Sequence, residues 1–245
     1  MMIFNTRFGR LFFFSTEPQA CSYLPEREAV MLFADPNKII DTDTYARLID
    51  YGFRRSGDNV YRPHCRSCTA CIPVRIPVEK FRPNRSQRRN RRANEDLRVR
   101  TGLTRFEDRH LDLYLRYQRR RHDGTTNESE ARDQLGFLRS RFIDTSFAEF
   151  HAGDELVMVT VIDRLPQGLS AVYTFYDDAY ATRGLGVHAV LYLVEECRRL
   201  GLQWLYLGYW IKACSKMSYK DQFRPLEVYV NGSWRELSAD TPVPT

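Results

Sequence analysis

The chain has 245 residues, 43% of them hydrophobic, enough for one large domain or two small ones with real cores. No apolar run is long enough to cross a bilayer, and Arg7 and Arg10 break the apolar bursts of the N-terminus, which does not read as a signal peptide. A cytoplasmic setting is therefore expected, in which the six cysteines are reduced. The net charge of +6 is modest but unevenly spread, because residues 82–109 carry far more arginine than acid.

In chain order, residues 10–14 read as a first strand, followed by a loop through Cys21-Ser22-Tyr23-Leu24-Pro25. The stretch from Asp41 has Asp and Thr at its start, Tyr45, Leu48 and Ile49 on one side and Gly52 just past its end, which predicts a short capped helix. Residues 53–63 read as a hairpin around Ser-Gly-Asp-Asn. Cys65, Cys68 and Cys71 follow, and residues 72–78 alternate as a strand. Residues 86–97 predict a polar helix capped by Ser86 and basic on several faces, hence not a core helix. Residues 105–122 predict a helix that packs by Leu111, Tyr114, Leu115 and Gln118. Residues 123–133 are polar and turn-rich, reading as a linker between two halves or a loop over a site.

From Thr145 the pattern becomes an antiparallel meander of three strands, broken at Gly153-Asp154 and at Pro166-Gln167-Gly168. A helix follows, with Val187, Val190, Leu191 and Val194 on one face and Gly201 at its close. Residues 204–207 then form a strand that turns through Gly208 into Tyr209 and Trp210. Lys212, Lys216 and Lys220 recur every four residues, which on a helix puts them on one face: either an anion site or a solvated surface. Asn231-Gly232 marks a last hairpin. The division expected is residues 1–104, with the cysteines and the basic helix, and residues 105–245.

Three groups of residues carry chemistry. The arginine-rich block, with Arg85, Arg88, Arg89, Arg91 and Arg92 at its centre, offers planar forks of donors suited to phosphate, so RNA or another polyphosphate is its expected partner. The C-x2-C-x2-C spacing of Cys65, Cys68 and Cys71 resembles part of an iron–sulfur run, with Cys21 as the best fourth ligand and His64 a poorer one. Reduced structural cysteines are the alternative, and neither zinc nor a cluster is assumed. Finally, the order strand, strand, strand, glycine turn, helix, strand, helix, strand is that of a GNAT-type acyltransferase core. Its phosphate-holding loop would be Arg183-Gly184-Leu185-Gly186-Val187-His188, in which His188 replaces the usual last small residue. A tight turn into a helix is the plain alternative. There is no Walker loop, G-x-S-x-G or H-E-x-x-H.

These residues resemble the bacterial branch of the arginyl-tRNA–protein transferases, the aspartate/glutamate leucyltransferases. The N-terminal marks are Cys21-Ser22-Tyr23-Leu24-Pro25, Tyr61-Arg62-Pro63-His64-Cys65, Val74-Arg75-Ile76-Pro77-Val78 and Ser86-Gln87-Arg88-Arg89. The C-terminal marks are Ala171-Val172-Tyr173-Thr174-Phe175-Tyr176-Asp177, Arg183-x-Leu185-Gly186 and Tyr206-Leu207-Gly208-Tyr209-Trp210-Ile211-Lys212 through Met217-x-Tyr219-Lys220-x-x-Phe223-x-Pro225. Eukaryotic relatives have been linked to an iron–sulfur cluster at their N-terminal cysteines, and Leu24 stands where they carry a second cysteine.

The resemblance implies an α+β fold: a GNAT-like core, an antiparallel-rich mixed sheet with flanking helices, after an N-terminal cysteine-containing α+β region. It implies an aminoacyltransferase that moves leucine from leucyl-tRNA to proteins beginning with Asp or Glu, marking them for N-degron degradation. The ester is already activated, so no ATP and no cofactor is required. The expected partners are leucyl-tRNA and such proteins, with no membrane and no DNA. On residue type and motif position, Tyr209, Lys216, Tyr219 and Lys220 are candidate catalytic groups. Arg75, Arg183, Gly186 and Lys212 are candidates for holding donor or acceptor, and the arginines 85, 88, 89, 91 and 92 for gripping tRNA. An acyl-coenzyme A N-acyltransferase and a non-catalytic RNA-binding module are the alternatives.

Overall fold

The structure, a computed structural model, describes residues 3–6, 9–121 and 127–241. The first part builds a small antiparallel sheet from β1 (Ile3–Thr6), β2 (Gly9–Ser15), β5 (Met31–Ala34), β6 (Arg54–Ser56) and β7 (Asn59–Pro63), in the order β1-β2-β5-β7-β6. A two-stranded ribbon, β3 (Gln19–Ala20) and β4 (Glu28–Ala29), lies between β2 and β5 in sequence. The expected capped helix is α1 (Thr42–Asp50): the Asp41 carboxylate accepts from the Thr44 N–H at 2.9 Å, and Gly52 leaves the helix at φ +81°. The apolar side of α1 and the inner face of the sheet share a core that includes Leu11, Phe13, Tyr45, Leu48 and Phe53.

The second sheet is larger. Its strands are β8 (Ile72–Pro77), β9 (Arg98–Leu103), β10 (Asp144–Ala152), β11 (Glu155–Leu165), β12 (Gly168–Tyr176), β13 (Trp204–Trp210), β14 (Glu227–Val230) and β15 (Ser233–Glu236). Their order is β15-β14-β8-β13-β12-β11-β10-β9. Every neighbouring pair is antiparallel except β12–β13. A parallel pair needs a long crossover, and α5 (Leu185–Arg199) supplies it. One face of the sheet packs on α5 through residues such as Ile76, Phe150, Met158, Leu193 and Leu205. The opposite face, with Phe147, Val159, Val161 and Phe175, is covered by α3 (Asp108–Arg121) and α4 (Glu128–Phe137). The small N-terminal sheet joins that side through Leu165 and Tyr206. The fold is thus a mixed α+β one with antiparallel-rich sheets.

Several expectations need correction. The basic helix, α2 (Arg85–Arg92), is capped by Asn84 rather than Ser86, in a reciprocal capping box with Gln87, and it stops at Arg92. Strand β9 was not expected. It is an exposed edge strand, so it has no buried face to produce alternation. Of the stretch read as a polar linker, residues 123–126 lie outside the described residues, whereas residues 128–137 are α4, started by a capping box between Asn127 and Glu130. Strands β8 and β9, from the first 104 residues, are hydrogen bonded into the same sheet as the later strands. The lysine segment is not one helix. It comprises a turn at Lys212, a single turn α6 (Ser215–Ser218) and a 3-10 turn, Tyr219–Gln222.

A candidate active cleft between two parting strands

Strands β12 and β13 pair only at Gly168–Trp204, Leu169–Leu205 and Ser170–Tyr206, then separate. Each carries an extra residue where they part. In β12 the register against β11 steps from Val161–Tyr173 to Ile162–Ala171, leaving Val172 unpaired. In β13 the register against β8 steps from Tyr206–Arg75 to Gly208–Val74, leaving Leu207 unpaired. A bulge bends its strand and increases local twist, so the two bulges account for the fork. Gly208, at φ +75°, permits the second. The opening is a cavity of about 460 Å3 lined by β12, β13, the N-terminal half of α5, Tyr117 of α3 and the segment 215–220. It therefore reaches both faces of the sheet.

Lys220 is the unusual group in this cleft. Its side chain is buried, and its Nζ donates to the Tyr209 carbonyl at 2.5 Å and approaches Met217 Sδ at 3.5 Å. Burial, followed by the nearby Arg54 charge, pushes its pKa down to about 7. A lysine so placed exists as a neutral amine in a large fraction of molecules near neutrality, as a proton acceptor requires. Lys216 and Tyr219 also line the cleft and are exposed. Lys212 is exposed and is not among the lining residues. Tyr209 is placed differently from the expectation: its hydroxyl donates to the Gly52 carbonyl at 2.8 Å, and burial holds its pKa well above the usual phenol range. The lysines thus do not share one helix face; Lys220 is buried while the other two are exposed.

Sequence reasoning missed Arg54. Its guanidinium donates to Ser170 Oγ at 3.0 Å and to the Ala171 carbonyl at 2.9 Å, bridging the last paired residue of β12 and the first parted one. A Cβ on Gly208 would lie 3.4 Å from Arg54 Nε, so the cation also stands against β13 at its bulge. No motif flagged it; the only signal was an arginine pair in a hairpin. Arg75, by contrast, is committed elsewhere. It is bonded to Asp50 at 3.1 Å and Glu227 at 2.8 Å, and its guanidinium sits 3.7 Å from the Trp204 ring centre and 4.2 Å from that of Trp234. That cage ties β8, β13, β14 and α1 together.

At the mouth of the cleft, Gly184 (φ +63°) and Gly186 lead into α5. The first-turn N–H groups of Leu185 and Gly186 have no intrahelical carbonyl to bond, which favours an anion there. The Arg183 side chain is turned away to the segment that follows α2, where it pairs with Asp96 and donates to Asn94 Oδ1 and the Ala93 carbonyl. From α2, Asn90 Nδ2 reaches back to the carbonyls of Arg183 and Gly184 at 2.9 and 3.1 Å, and Gln87 donates to the Gln222 carbonyl at 3.1 Å. The polar face of α2 is thereby locked against both borders of the cleft. Arg85, Arg88, Arg89, Arg91 and Arg92 all remain exposed. Arg91 pairs with Glu195 and Arg88 bonds the Pro83 carbonyl, while Arg85, Arg89 and Arg92 have no side-chain partner among the described residues.

Cys21, Cys65, Cys68 and Cys71 line a second cavity, of about 360 Å3, which Tyr209 also borders. Among the described residues no three His, Cys, Asp or Glu side chains are grouped so as to hold a metal ion. The thiols are engaged separately: the Val30 N–H points at Cys65 Sγ at 3.4 Å, the Arg27 guanidinium at Cys68 Sγ at 3.2 Å, and burial pushes Cys71 up to about 12. As placed, these residues do not fit zinc or an iron–sulfur cluster. Cys214, the cap residue of α6, packs with Ala70 and Ile211 beside this group. Among the described residues, no helix is long and apolar enough to cross a membrane.

Comparison with known proteins adds to this geometry. Residues 19–89 match the N-terminal model of the arginine-tRNA-protein transferases, and residues 109–230 match the C-terminal one. A protein of Pseudomonas fluorescens named aspartate/glutamate leucyltransferase is 48% identical over 95% of this chain and 100% of its own length. One of the same name from Pseudomonas aeruginosa is 49% identical over the same shares. Among solved structures, L-PGS from Bacillus licheniformis aligns with a TM-score of 0.48 and 14% identity over 80% of this chain and 64% of that one; at that level neither fold nor function is taken from it. The chain belongs to the arginine-tRNA-protein transferase family.

Proposed function

We propose that this chain is a cytoplasmic aminoacyl-tRNA–protein transferase with a GNAT-like core, which moves leucine from leucyl-tRNA to the N-terminal α-amine of proteins beginning with Asp or Glu, so marking them for degradation. The observation that carries the reading is the near-full-length match to relatives named for that activity. The cleft between β12 and β13 supports its location.

In this reading the tRNA 3′ end enters past Gly184 and Gly186, whose helix start suits its phosphate, while α2 presents arginines to the acceptor arm. The leucyl ester lies in the fork. The acceptor α-amine, with an ordinary pKa of roughly 7.7–8.0, is partly neutral at cellular pH. Its nitrogen attacks the ester carbonyl, forming the C–N bond. Neutral Lys220 takes the proton, and the C–O bond to the tRNA breaks as the proton passes to the departing ribose oxygen. Tyr219, on the cleft wall, is the proposed relay for that transfer. Because Arg75 is already paired with two carboxylates, the acidic acceptor side chain falls to Lys216, with Lys212 as the outer cation.

The test uses purified protein, labelled leucyl-tRNA and peptides beginning with Asp, Glu, Lys or Arg. Transfer only to the acidic starts is expected. Activity with an acyl-coenzyme A but not with leucyl-tRNA, or tRNA binding without transfer, overturns the reading.

A further inference from the structure

The closed end of the cleft can be ordered by depth. Helix α5 returns antiparallel to the strands it connects, so its glycine start lies at the mouth, and Val190 and Leu193 lie deeper. The strands part after Ser170 and Tyr206, so Ala171 and Leu207 stand at the apex. Val190, Leu193 and Leu207 are buried, and all four residues line the cavity. The deep end is thus made of aliphatic side chains from α5 and both strands. Among the described residues no Asp or Glu lines the cleft, and the two ionisable amines that do, Lys216 and Lys220, are cationic when protonated.

We infer that Ala171, Val190, Leu193 and Leu207 form the pocket that receives the side chain of the transferred amino acid, and that they select a branched aliphatic donor over both a cationic and an aromatic one. The inference rests on the transferase reading above and names the part of that site that sets donor identity. Two physical arguments support it. A guanidinium or ammonium entering this end leaves water for an apolar wall with no carboxylate to meet it, and faces like charge at the rim. Burying an unpaired charge is far costlier than the aliphatic burial gained. Against an aromatic side chain the pocket acts by size alone, and one methylene in an apolar pocket discriminates by roughly 10–200-fold.

The experiment measures transfer to one Asp-started peptide from leucyl-, phenylalanyl- and arginyl-tRNA, each as a kcat/KM ratio to leucyl-tRNA within a single preparation. A ratio within one preparation is insensitive to the fraction of molecules folded. The wild-type protein, Leu193→Ala and Leu207→Ala are compared, with Leu48→Ala as a cavity of like size in the core of the small sheet, at a residue that does not line the cleft. The expected result is a phenylalanyl-to-leucyl ratio raised about tenfold or more in both cleft variants, with the arginyl ratio unmoved, and neither ratio changed in Leu48→Ala. If the cleft variants leave the phenylalanyl ratio at the wild-type value, or change it no more than Leu48→Ala does, the pocket assignment is overturned. If enlargement admits arginyl as readily as phenylalanyl, the charge argument is overturned. If the wild-type protein transfers from none of the three, it is the transferase reading itself that fails.

Discussion

Lys220 Nζ hydrogen bonds to the carbonyl oxygen of Tyr209, at the end of β13 and beyond its bulge. Since burial and Arg54 hold the lysine pKa down to about 7, the amine is poised to accept a proton near neutrality. Replacing Lys220 with Met is expected to lower kcat by about 10²–10⁴-fold, the usual range for loss of a positioned base. The sign of the pH dependence follows from the neutral form being active: kcat/KM rises with pH through about 7 and then follows the acceptor amine. Lys220→Met should keep only the acceptor limb. Arg54→Met removes the neighbouring charge and should move the lysine limb to higher pH. A pH profile for each variant reads this out, and an unchanged limb in Lys220→Met rules out the lysine as base.

The same depression makes the lysine a pH-dependent cost to folding. Its folded pKa of about 7 lies below the ordinary 10.5, so between those values the unfolded chain binds a proton that the folded chain does not. Stability must therefore rise with pH across that window, and the penalty is full below it. At about 1.4 kcal/mol per unit, the effect reaches a few kcal/mol. Urea unfolding of wild type and Lys220→Met at several pH values should give two curves that converge as pH rises from about 7 toward 10. The lost Tyr209 bond shifts the whole offset, but it does not alter the convergence. Parallel curves would mean that the lysine titrates normally.

What the sequence disclosed follows the physics of each element. The meander was legible as apolar runs between turn signals, α5 by its buried face, and the Asn231-Gly232 hairpin because its turn demands φ above zero, which both residues have. Strand β9 and α4 were not: one has no buried face, and the polar residues of the other hid a capping box that Asn127 and Glu130 nevertheless spell out. The candidate site was half legible. Lys220, Lys216, Tyr219 and Gly186 were named from motif position, and they converge on one cleft. Their spacing suggested a lysine-faced helix, but periodicity cannot foresee a side chain that turns inward to a strand-end carbonyl. Arg75 and Tyr209 have suitable chemistry, yet their donors are used by Asp50, Glu227 and Gly52. Arg54 acts only through the parting of two strands more than a hundred residues away, and no local pattern records that.

The arginines of α2 make a prediction about salt. Asn90, Asn94 and Gln87 hold the helix in place with neutral side chains, leaving Arg85, Arg89 and Arg92 free of side-chain partners among the described residues. Replacing these three with Ala should therefore leave the fold intact and raise the KM for leucyl-tRNA. It should also reduce the slope of log affinity against log salt by roughly one for each phosphate that is no longer gripped. The kcat at saturating tRNA should change little, because none of the three lines the cleft. An unchanged salt slope in the triple variant would place the tRNA backbone elsewhere.

Arg55, the neighbour of Arg54, fixes the hairpin that carries both. Its guanidinium grips Asp163 of β11 through Nε at 2.7 Å and Nη2 at 2.5 Å, with Thr145 donating to the same carboxylate at 2.8 Å, and the charged atoms of both partners are almost completely buried. Two charges out of water stabilise little as a pair, but one alone is costly. Asp163→Ala leaves the guanidinium buried and unpaired and should lower stability by about 3–5 kcal/mol. The double variant Arg55→Met/Asp163→Leu removes both charges and should recover much of that loss. Urea midpoints at constant m-value measure the stabilities. Because β6 carries Arg54 to the fork, transfer activity should fall in the single variant even at temperatures where it remains folded. Full activity there would show that Arg54 holds its place at the fork without the pair beside it.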